Sequence, residues 1–289
     1  MQRERSNMKK LSIAIPASIV SDTPHLREKT SKIGIVGRAA AIFKINEIIV
    51  YPDDPRASQK KDIELVAKLL TYMETPQYLR KRLFELSPDL QFAGILPPLR
   101  TLHHPLNRNA RNLKVSEYRE GVAVAQTKQG TLVDIGVEQP ALARNADMQI
   151  GKRVTVKVKK AGLPAEVEPA KRDEVSHYWG YTVSVERPFG QMLKSRKFDL
   201  TVATSRYGLP FTGLKEQLFE KWKTAEHVAV IFGAPNAGLS EIAARENLKL
   251  EQVTDYIVNT IPFQGTETVR TEEAIFASLA VFNVCFNKT

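Results

Sequence analysis

The chain has 289 residues, of which 43% are apolar and 26% charged, a composition typical of a folded globular protein and unlike that of collagen, coiled coils or disordered chains. Its 42 Lys and Arg residues outnumber 32 Asp and Glu residues, and the resulting net charge of +10 favours a polyanionic partner such as a nucleic acid. A single cysteine, Cys285, excludes an intramolecular disulfide and a Cys-rich zinc site.

The first apolar run, residues 11–20, follows basic residues and so resembles a leader peptide. Pro16 within the run favours a buried first strand at residues 12–17 instead. No run of about 18 apolar residues is present, so the sequence predicts no membrane span. We therefore expect a cytoplasmic protein.

Residues 1–98 alternate strand and helix patterns. The predicted elements are a helix beginning at Thr23 and Pro24 and reaching Phe43, a strand at Glu47–Tyr51, a helix carrying Ile63, Val66, Leu69 and Leu70, a basic helix at residues 78–86 and a short strand at residues 92–96. Strands that alternate with helices predict a parallel sheet.

Residues 99–175 have a different pattern. Period-2 stretches at residues 121–125, 131–135 and 154–159 are separated by glycine-containing turns, which predicts a small antiparallel β-barrel. This region contains 14 basic and 9 acidic residues between Arg100 and Val175. We expect it to be an inserted domain.

From residue 176 the α/β pattern returns. Strands are predicted at residues 181–185, 199–204, 228–232 and 256–260, and helices at 214–222, 239–246 and 272–286. A parallel-sheet domain formed by residues 1–98 and 176–289, interrupted by the barrel, fits this order better than two domains in series. The last helix is apolar on several sides, which predicts burial in the core or against a second subunit.

The candidate ligand site consists of the loops at residues 203–208, 232–239 and 259–270, because ligands of open α/β sheets bind at the carboxyl ends of the strands. Gly233 and Gly238 allow a close approach of the backbone to a ligand, although glycine after a strand is also ordinary turn chemistry. The fingerprints of NAD-binding proteins, P-loop NTPases, serine hydrolases and zinc proteases are missing, and the scattered histidines predict no metal site.

Four stretches resemble motifs of one family. They are residues 13–16, 32–43, 232–239 and 261–274. With these motifs in this order, nearly the whole chain resembles the knotted SPOUT RNA methyltransferases, in the archaeal and eukaryotic branch with an inserted barrel. The stretch at residues 232–239 departs from the family at Pro235 and Asn236, where many relatives have an acidic residue.

The resemblance implies an α/β fold with a parallel sheet and a deep carboxyl-terminal trefoil knot, interrupted by an OB-like barrel that binds RNA. A knot is a feature that periodicity does not predict. The resemblance also implies S-adenosylmethionine as the methyl donor, bound by the three loops, and a homodimer formed through the carboxyl-terminal region.

The resemblance assigns roles to individual residues. The implied cofactor-binding residues are Thr204, Ser205, Arg206, Gly233, Gly238, Asn259, Ile261, Gly265, Thr266 and Thr268. Arg38 is the candidate catalytic residue, because a guanidinium suits a substrate phosphate; a salt-bridged helix arginine is the alternative. Arg206 and Arg270 are candidates for contact with the cofactor carboxylate or RNA. Glu267 is a candidate proton acceptor, or a carboxylate that interacts with a helix dipole.

The candidate RNA-contacting residues are Arg80, Lys81 and Arg82 on the basic helix and Lys157 and Lys159 on the barrel. The barrel lysines alternatively protect a sheet edge from pairing. The leading hypothesis is an S-adenosylmethionine-dependent RNA methyltransferase that acts on ribosomal RNA. The alternative is a non-catalytic dimeric RNA-binding protein, and the absent fingerprint disfavours a nucleotide-dependent oxidoreductase.

Overall fold

Residues 9–286 of the chain are described by a computed structural model. The strands are β1 (Lys10–Pro16), β2 (Glu47–Tyr51), β3 (Tyr118–Thr127), β4 (Gly130–Asp134), β5 (Ala141–Arg144), β6 (Arg153–Lys160), β7 (Glu166–Ala170), β8 (Thr182–Val185), β9 (Leu200–Pro210), β10 (His227–Ile231) and β11 (Tyr256–Asn259). The helices are α1 (Leu26–Ile42), α2 (Lys60–Glu74), α3 (Gln77–Leu83), α4 (Phe189–Ser195), α5 (Phe211–Thr224), α6 (Leu239–Arg245), α7 (Leu250–Val253) and α8 (Thr271–Phe286).

Six of the strands form one sheet in which every neighbouring pair runs parallel. Their order is β11-β9-β10-β1-β2-β8. The central strands β1 and β2 are buried along most of their length. This is the pattern of parallel strands that are covered by helices on both faces, and it confirms the predicted α/β class.

The strand order reverses direction at the centre of the sheet. From β1 the chain proceeds outward to β2 and β8, and it then returns on the other side, where β10 lies beside β1 and β9 lies between β10 and β11. In open α/β sheets such a reversal leaves a crevice at the carboxyl ends of the strands. The loops that follow β9, β10 and β11 leave the sheet at this edge.

The last helix, α8, is buried on the predicted stripe formed by Ile275, Leu279, Phe282 and Phe286. The ring centroids of Phe282 and Phe286 lie 5.4 and 4.8 Å from that of Trp222 on α5. The same helix packs against α1. This stripe therefore belongs to the core of the sheet-containing part of the chain, whereas Val284 on another side of α8 is exposed.

The other five strands close into a barrel in the order β3-β4-β5-β7-β6. Neighbouring strands are antiparallel except for β5 and β7, which pair in parallel. The sequence predicts β3, β4 and β6. It does not predict β5, which has four residues, or β7, which contains Pro169.

The chain divides into two units. The unit with the sheet comprises the residues up to Thr71, Gln91–Pro97 and the residues from Tyr181 onward. The unit with the barrel comprises Tyr72–Leu90 and Pro98–Gly180. The second unit thus contains the region predicted as an insertion, residues 99–175, and also α3, which the sequence analysis assigned to the methyltransferase domain.

A buried ionic cluster lies in the barrel unit around Glu74. Its carboxylate accepts hydrogen bonds from Arg153 at 2.6 Å and Arg172 at 2.9 Å and lies 3.2 Å from Nε2 of His103. Arg153 also donates to Glu120 at 2.6 Å. Burial raises the pKa of Glu74, but the hydrogen bond from His103 and the charge of Arg153 outweigh this effect and lower the pKa to about 2.

The prediction of a strand at residues 92–96 is wrong. This segment contains a short 3-10 helix, Ala93–Ile95, followed by Pro97 and Pro98. The prolines lack the backbone donor that a sheet requires, and the run instead packs beside α1. A Cβ atom at Gly34 on α1 would lie 2.8 Å from Cδ of Pro97, so glycine is needed for this contact.

The first helix begins at Leu26, two residues after the predicted first position, Pro24. The N-cap residue is His25, whose side chain makes no capping hydrogen bond. Thr23 does not cap the helix, because the N-cap position is two residues further along the chain; the Thr23 hydroxyl instead donates to Asp22 at 3.0 Å.

Candidate functional site

The first candidate loop is an interruption within β9. In the pairing of β9 with β11, Ala203 lies opposite Ile257, whereas Leu209 lies opposite the next residue, Val258. Residues 204–208 therefore bulge out of the ladder at the carboxyl end of the sheet. Bulges of this kind redirect side chains next to functional sites.

Two features hold the bulge in place. A Cβ atom at Gly208 would lie 2.8 Å from the carbonyl carbon of Ile257, so only glycine permits the close return to β11. The hydroxyl of Thr204 donates to the carbonyl of Ile231, the last residue of β10, at 2.9 Å. The bulge is thus fixed to both neighbouring strands.

The second loop, residues 232–239, is a tight turn after β10. The amide of Ala234 donates to the carbonyl of Ala237 at 2.9 Å. A Cβ atom at Gly233 would lie 3.2 Å from the same carbonyl oxygen, so the turn has little space for a side chain there. The amide of Gly238 donates to the carboxylate of Glu241 at 3.3 Å, which caps α6.

The third loop, after β11, is bonded to both other loops. Nδ2 of Asn259 donates to the carbonyl of Arg206 at 2.9 Å, and its Oδ1 accepts from the amide of Ile261 at 3.0 Å. At the other end of the loop, the hydroxyl of Thr271 donates to the carbonyl of Gly233 at 3.0 Å. Hydrogen bonds therefore hold together three loops that are distant in sequence.

The three loops line one cavity of about 310 Å³. The predicted cofactor-binding residues in its lining are Thr204, Ser205, Arg206, Gly233, Gly238, Asn259, Ile261 and Thr268. Gly265 and Thr266 lie in the third loop but outside the lining. The volume is at the lower end of the range of small-molecule sites, about 300–1,000 Å³.

The lining combines apolar surface with a few polar groups. Phe232, Leu239 and Val258 supply apolar side chains. Glu241 is the one acidic residue among the described residues that line the cavity, and the sequence analysis missed it. The signal for it was a glutamate three residues after Gly238, at the start of a helix, which is a capping-box spacing.

Two aromatic side chains that the sequence analysis also missed are exposed on these loops. Tyr207, which lines the cavity, is 82% exposed, and the Arg206 guanidinium lies 4.7 Å from its ring centroid. Phe263, in the third loop between the lining residues Ile261 and Gln264, is fully exposed and has a positive φ of 67°. Exposed rings beside a cavity suit stacking against a flat ligand or a base.

The charged residues of the loops form most of their hydrogen bonds with other residues of the same three loops or with the start of α8. Arg206 donates from Nη1 to the carbonyl of Glu267 and from Nη2 to the hydroxyl of Tyr207, both at 2.6 Å. Arg270 lies outside the lining, and its amide donates to the carboxylate of Glu273 at 2.9 Å at the start of α8. The Glu267 carboxylate is also outside the lining, so its role as a proton acceptor stays a prediction.

Arg38 lies on α1 and is half-buried, outside the lining of the cavity. Within one chain, Arg38 therefore does not line the site where a ligand would bind. Its predicted catalytic role stays a prediction.

The predicted RNA-contacting arginines of α3 bond to other groups of the barrel unit. Arg80 donates to the carbonyls of Thr75 at 3.0 Å and Met73 at 3.2 Å. Arg82 forms an ion pair with Asp134 at 2.5 Å. The guanidinium of Arg80 thus stabilises the end of α2, and the charge of Arg82 is compensated.

The predicted lysines differ in their surroundings. Lys159 forms an ion pair with Glu168 at 3.2 Å on the neighbouring strand. The sheet-edge alternative is wrong, because β6 pairs with both β3 and β7 in the closed barrel and so has no free edge. Nζ of Lys157 lies 5.8 Å from the ring centroid of Tyr118. Lys81 on α3 is exposed. RNA contact by these residues stays a prediction.

Two features are absent from the described residues. Within residues 9–286, no group of three or more His, Cys, Asp or Glu side chains is arranged to hold a metal ion. In the same range, no helix has the length and apolar character that crossing a membrane requires.

The parallel sheet and the cavity at the carboxyl ends of its strands define an α/β protein with a small-molecule site, joined in one chain to a β-barrel unit. Over residues 10–282 the chain matches the family described as "Putative RNA methyltransferase", and it belongs to that family. The predicted enzyme class, an RNA methyltransferase, is thereby confirmed.

Individual relatives align along most of the chain. It is 33% identical to the 28S rRNA (uridine-N(3))-methyltransferase of Mus musculus, over 96% of this chain and 77% of the relative. It is 31% identical to the protein of the same name from Homo sapiens, over 96% of this chain and 79% of the relative. An uncharacterized protein of Haloarcula marismortui is 34% identical, over 93% of this chain and 96% of the relative.

Proposed function

We propose that this protein transfers a methyl group from S-adenosylmethionine to a base of ribosomal RNA, with N3 of a uridine as the acceptor atom. Family membership supports the reaction class, and the names of two relatives support the substrate and the acceptor atom. The observation that carries the proposal is the convergence of three strand-end loops on one cavity.

The residues of the cavity fit S-adenosylmethionine. The apolar side chains of Phe232, Leu239 and Val258 suit the flat ring of a purine. The second loop, residues 232–239, suits hydrogen bonds from its backbone to the polar edge of that ring. Glu241 suits the ribose hydroxyls or the ammonium group, because a carboxylate accepts hydrogen bonds from both. When bound, this cofactor supplies a methyl group that its sulfonium has already activated.

The task of the protein is then to orient the acceptor and to remove its proton. Tyr207 and Phe263 provide stacking surfaces beside the cavity, which suits a base taken out of its helix. Stacking of this kind fixes the plane of the base while leaving its Watson–Crick edge, where N3 lies, free to face the methyl group.

A SPOUT-type trefoil knot is part of the proposal. It is supported by the position of β9 between β10 and β11, and by the course of the chain after β11. From that outer strand the chain returns to Gly233, where Thr271 donates its hydrogen bond, and α8 then packs against α1. Such a return passes the bulge of β9 and the turn after β10. The same resemblance favours an OB-like, RNA-binding role for the barrel.

A homodimer formed through α1 and α8 is also part of the proposal. Ile35 and Ile42 on α1 are 40% and 47% exposed, and Val284 on α8 is 79% exposed. Ile35, Arg38 and Ile42 are spaced three and four residues apart and so share one helix face. In such a dimer Arg38 would lie at the interface, where it can act on the site of the partner subunit.

Calorimetry with S-adenosylmethionine tests the proposal. The unmodified protein should bind with micromolar affinity, and Gly233→Trp should abolish binding because the indole fills the cavity. Gly213→Trp is the matched control, since a Cβ atom at Gly213 on α5 has no neighbour within 4 Å. If the folded, unmodified protein gives no heat, the proposal fails and the non-catalytic RNA-binding alternative is favoured.

A further inference from the structure

The basic residues of the barrel unit differ in whether a carboxylate compensates them. Arg119, Arg144, Lys159 and Arg172 each form an ion pair, with Glu117, Glu166, Glu168 and Glu74 respectively. A paired cation attracts an external anion less strongly, because the partner carboxylate cancels most of its field. The basic side chains best able to bind a polyanion are therefore those of this unit that have no carboxylate partner.

One segment of the unit, residues 99–116, contains basic residues and no acidic ones. The sequence has no Asp or Glu between Asp89 and Glu117, whereas Arg100, Arg108, Arg111 and Lys114 all lie in this interval. All four side chains are exposed. We call residues 99–116 the cationic segment.

None of these four side chains is compensated by a close carboxylate. Among the described residues, no Asp or Glu oxygen lies within 4.0 Å of a side-chain nitrogen of Arg100, Arg108, Arg111 or Lys114. Glu138 is close enough to Arg111 to interact electrostatically, but its carboxylate accepts the amide of Ala110 at 2.7 Å. Other lysines of the barrel unit also have no ion pair among the described residues: Lys128 and Lys152 lie between strands, and Lys157 and Lys160 lie on β6.

The cationic segment is irregular, but buried residues anchor it. Leu99, His103, Ala110 and Leu113 are at most 6% exposed. Nε2 of His103 lies 3.0 Å from the carbonyl of Glu74, in the ionic cluster. Between these anchors the exposed cations are held on a backbone of fixed course.

Further hydrogen bonds fix the part of the segment that carries Arg108 and Arg111. The carbonyl of Asn107 accepts from Arg119 at 2.9 Å, and the side chain of Asn109 accepts from the amide of Arg111 at 2.9 Å. The carbonyl of Ala110 accepts from the amide of Gly162 at 3.2 Å. A fixed backbone reduces the entropy that is lost when its side chains bind a ligand.

We infer that the cationic segment is the surface by which the barrel unit binds the phosphate backbone of RNA, with Arg108 and Arg111 as its principal contacts. Uncompensated arginines on a fixed backbone are the groups that bind phosphates with a planar, bidentate fork. Such contacts set the position of the RNA and carry no sequence information. The inference rests on the proposed function and identifies the part of the barrel unit that holds its substrate.

The test measures the affinity for a fluorescein-labelled RNA hairpin by anisotropy over a range of salt concentrations. Each phosphate contact contributes about 0.7–0.9 to the slope of log K against log salt. Arg108→Gln combined with Arg111→Gln should therefore lower the slope by about 1.5 and weaken binding roughly 10- to 50-fold at about 0.1 M salt. Arg108→Lys combined with Arg111→Lys keeps both charges and should keep the slope.

The matched control removes two arginines that are already compensated, Arg56→Gln together with Arg144→Gln. These pair with Asp54 at 3.2 Å and with Glu166 at 2.9 Å, and the change in net charge is the same. The control should change the slope by less than about 0.5. Equal melting temperatures of all variants show that folding is unaffected.

The outcomes distinguish this inference from the proposed function. If the unmodified protein binds RNA and the Arg108/Arg111 glutamine variant has the same slope, the inference is overturned and the proposed function is untouched; an acidic protein would then be the better partner for this surface. If the control lowers the slope as much as the glutamine variant, only net charge matters and the inference is again overturned. If the unmodified protein binds no RNA, both fail.

Discussion

Replacing Asn259 with alanine tests whether the bonds between loops create the cofactor site. The side chain makes one hydrogen bond to Arg206 in the bulge of β9 and one to Ile261 in its own loop, at 2.9 and 3.0 Å. Each contributes about 1 kcal/mol net, so the loss of both costs about 2 kcal/mol. If this cost falls on the conformation that binds the cofactor, Kd rises roughly 30-fold.

The assay is calorimetric titration of Asn259→Ala with S-adenosylmethionine. Thr224→Ala is the control, because this hydroxyl donates to carbonyls within α5, at 3.2 and 3.3 Å, and Thr224 does not line the cavity. The control should change Kd by less than about threefold. A Kd for Asn259→Ala equal to that of the control would refute the reasoning, since the two loops would then keep their places without the bridge.

The other predictions concern Glu74 in the ionic cluster, the exposed ring of Phe263 and the glycine of the β9 bulge. Because the pKa of Glu74 is about 2 in the folded protein against 4.5 ordinarily, its ionisation stabilises the fold by about 3 kcal/mol above pH 4.5, and this contribution is lost as the pH falls towards 2. Urea unfolding between about pH 6 and pH 3 should record this loss in the unmodified protein and a smaller pH dependence in Glu74→Gln; parallel curves would exclude the mechanism. Phe263→Ala should reduce kcat/KM for RNA roughly 10-fold and leave the Kd of S-adenosylmethionine unchanged, because stacking on a base contributes about 1–3 kcal/mol; an unchanged kcat/KM would exclude stacking. Gly208→Ala should weaken cofactor binding at least 10-fold in calorimetry, because its Cβ atom would lie 2.8 Å from the backbone of Ile257 and displace the bulge; normal binding would mean that the bulge does not form the site.

The elements that the sequence predicts well are those whose pattern is set locally. Strand β2 at Glu47–Tyr51 is a continuous buried run between turn residues, and α2 carries apolar residues at helical spacing. Short elements give no such signal. The helices α4 and α7, with seven and four residues, were missed because their burial comes from contacts with distant strands and helices.

Residue patterns predict the positions of the three loops, whereas only the family resemblance implies that the loops meet at one site. Each loop follows a buried strand, and the rule for parallel sheets places it at the carboxyl edge. That the loops meet depends on β9 lying between β10 and β11, and no residue pattern encodes this order. The register shift between Ile257 and Val258 that produces the bulge of β9 is also a property of long-range pairing.

Some of the residues at the cavity are predictable from the sequence, and others are not. Gly233 lies in a motif and Asn259 lies two residues before one; both are predicted to bind the cofactor, and both line the cavity. Glu241 reaches the cavity only because α6 begins at Leu239 and turns its first carboxylate towards the loop. Phe263 is exposed and has a positive φ, and the sequence predicts neither for a phenylalanine.

The central claim is tested most directly by methyl transfer to ribosomal RNA. The protein is incubated with rRNA from cells that lack this gene and with S-adenosylmethionine that carries a deuterated methyl group, and the RNA nucleosides are then analysed by mass spectrometry. We expect deuterated N3-methyluridine with the unmodified protein and none with Gly233→Trp. Absence of any deuterated nucleoside, with folded protein and intact RNA, would contradict the claim.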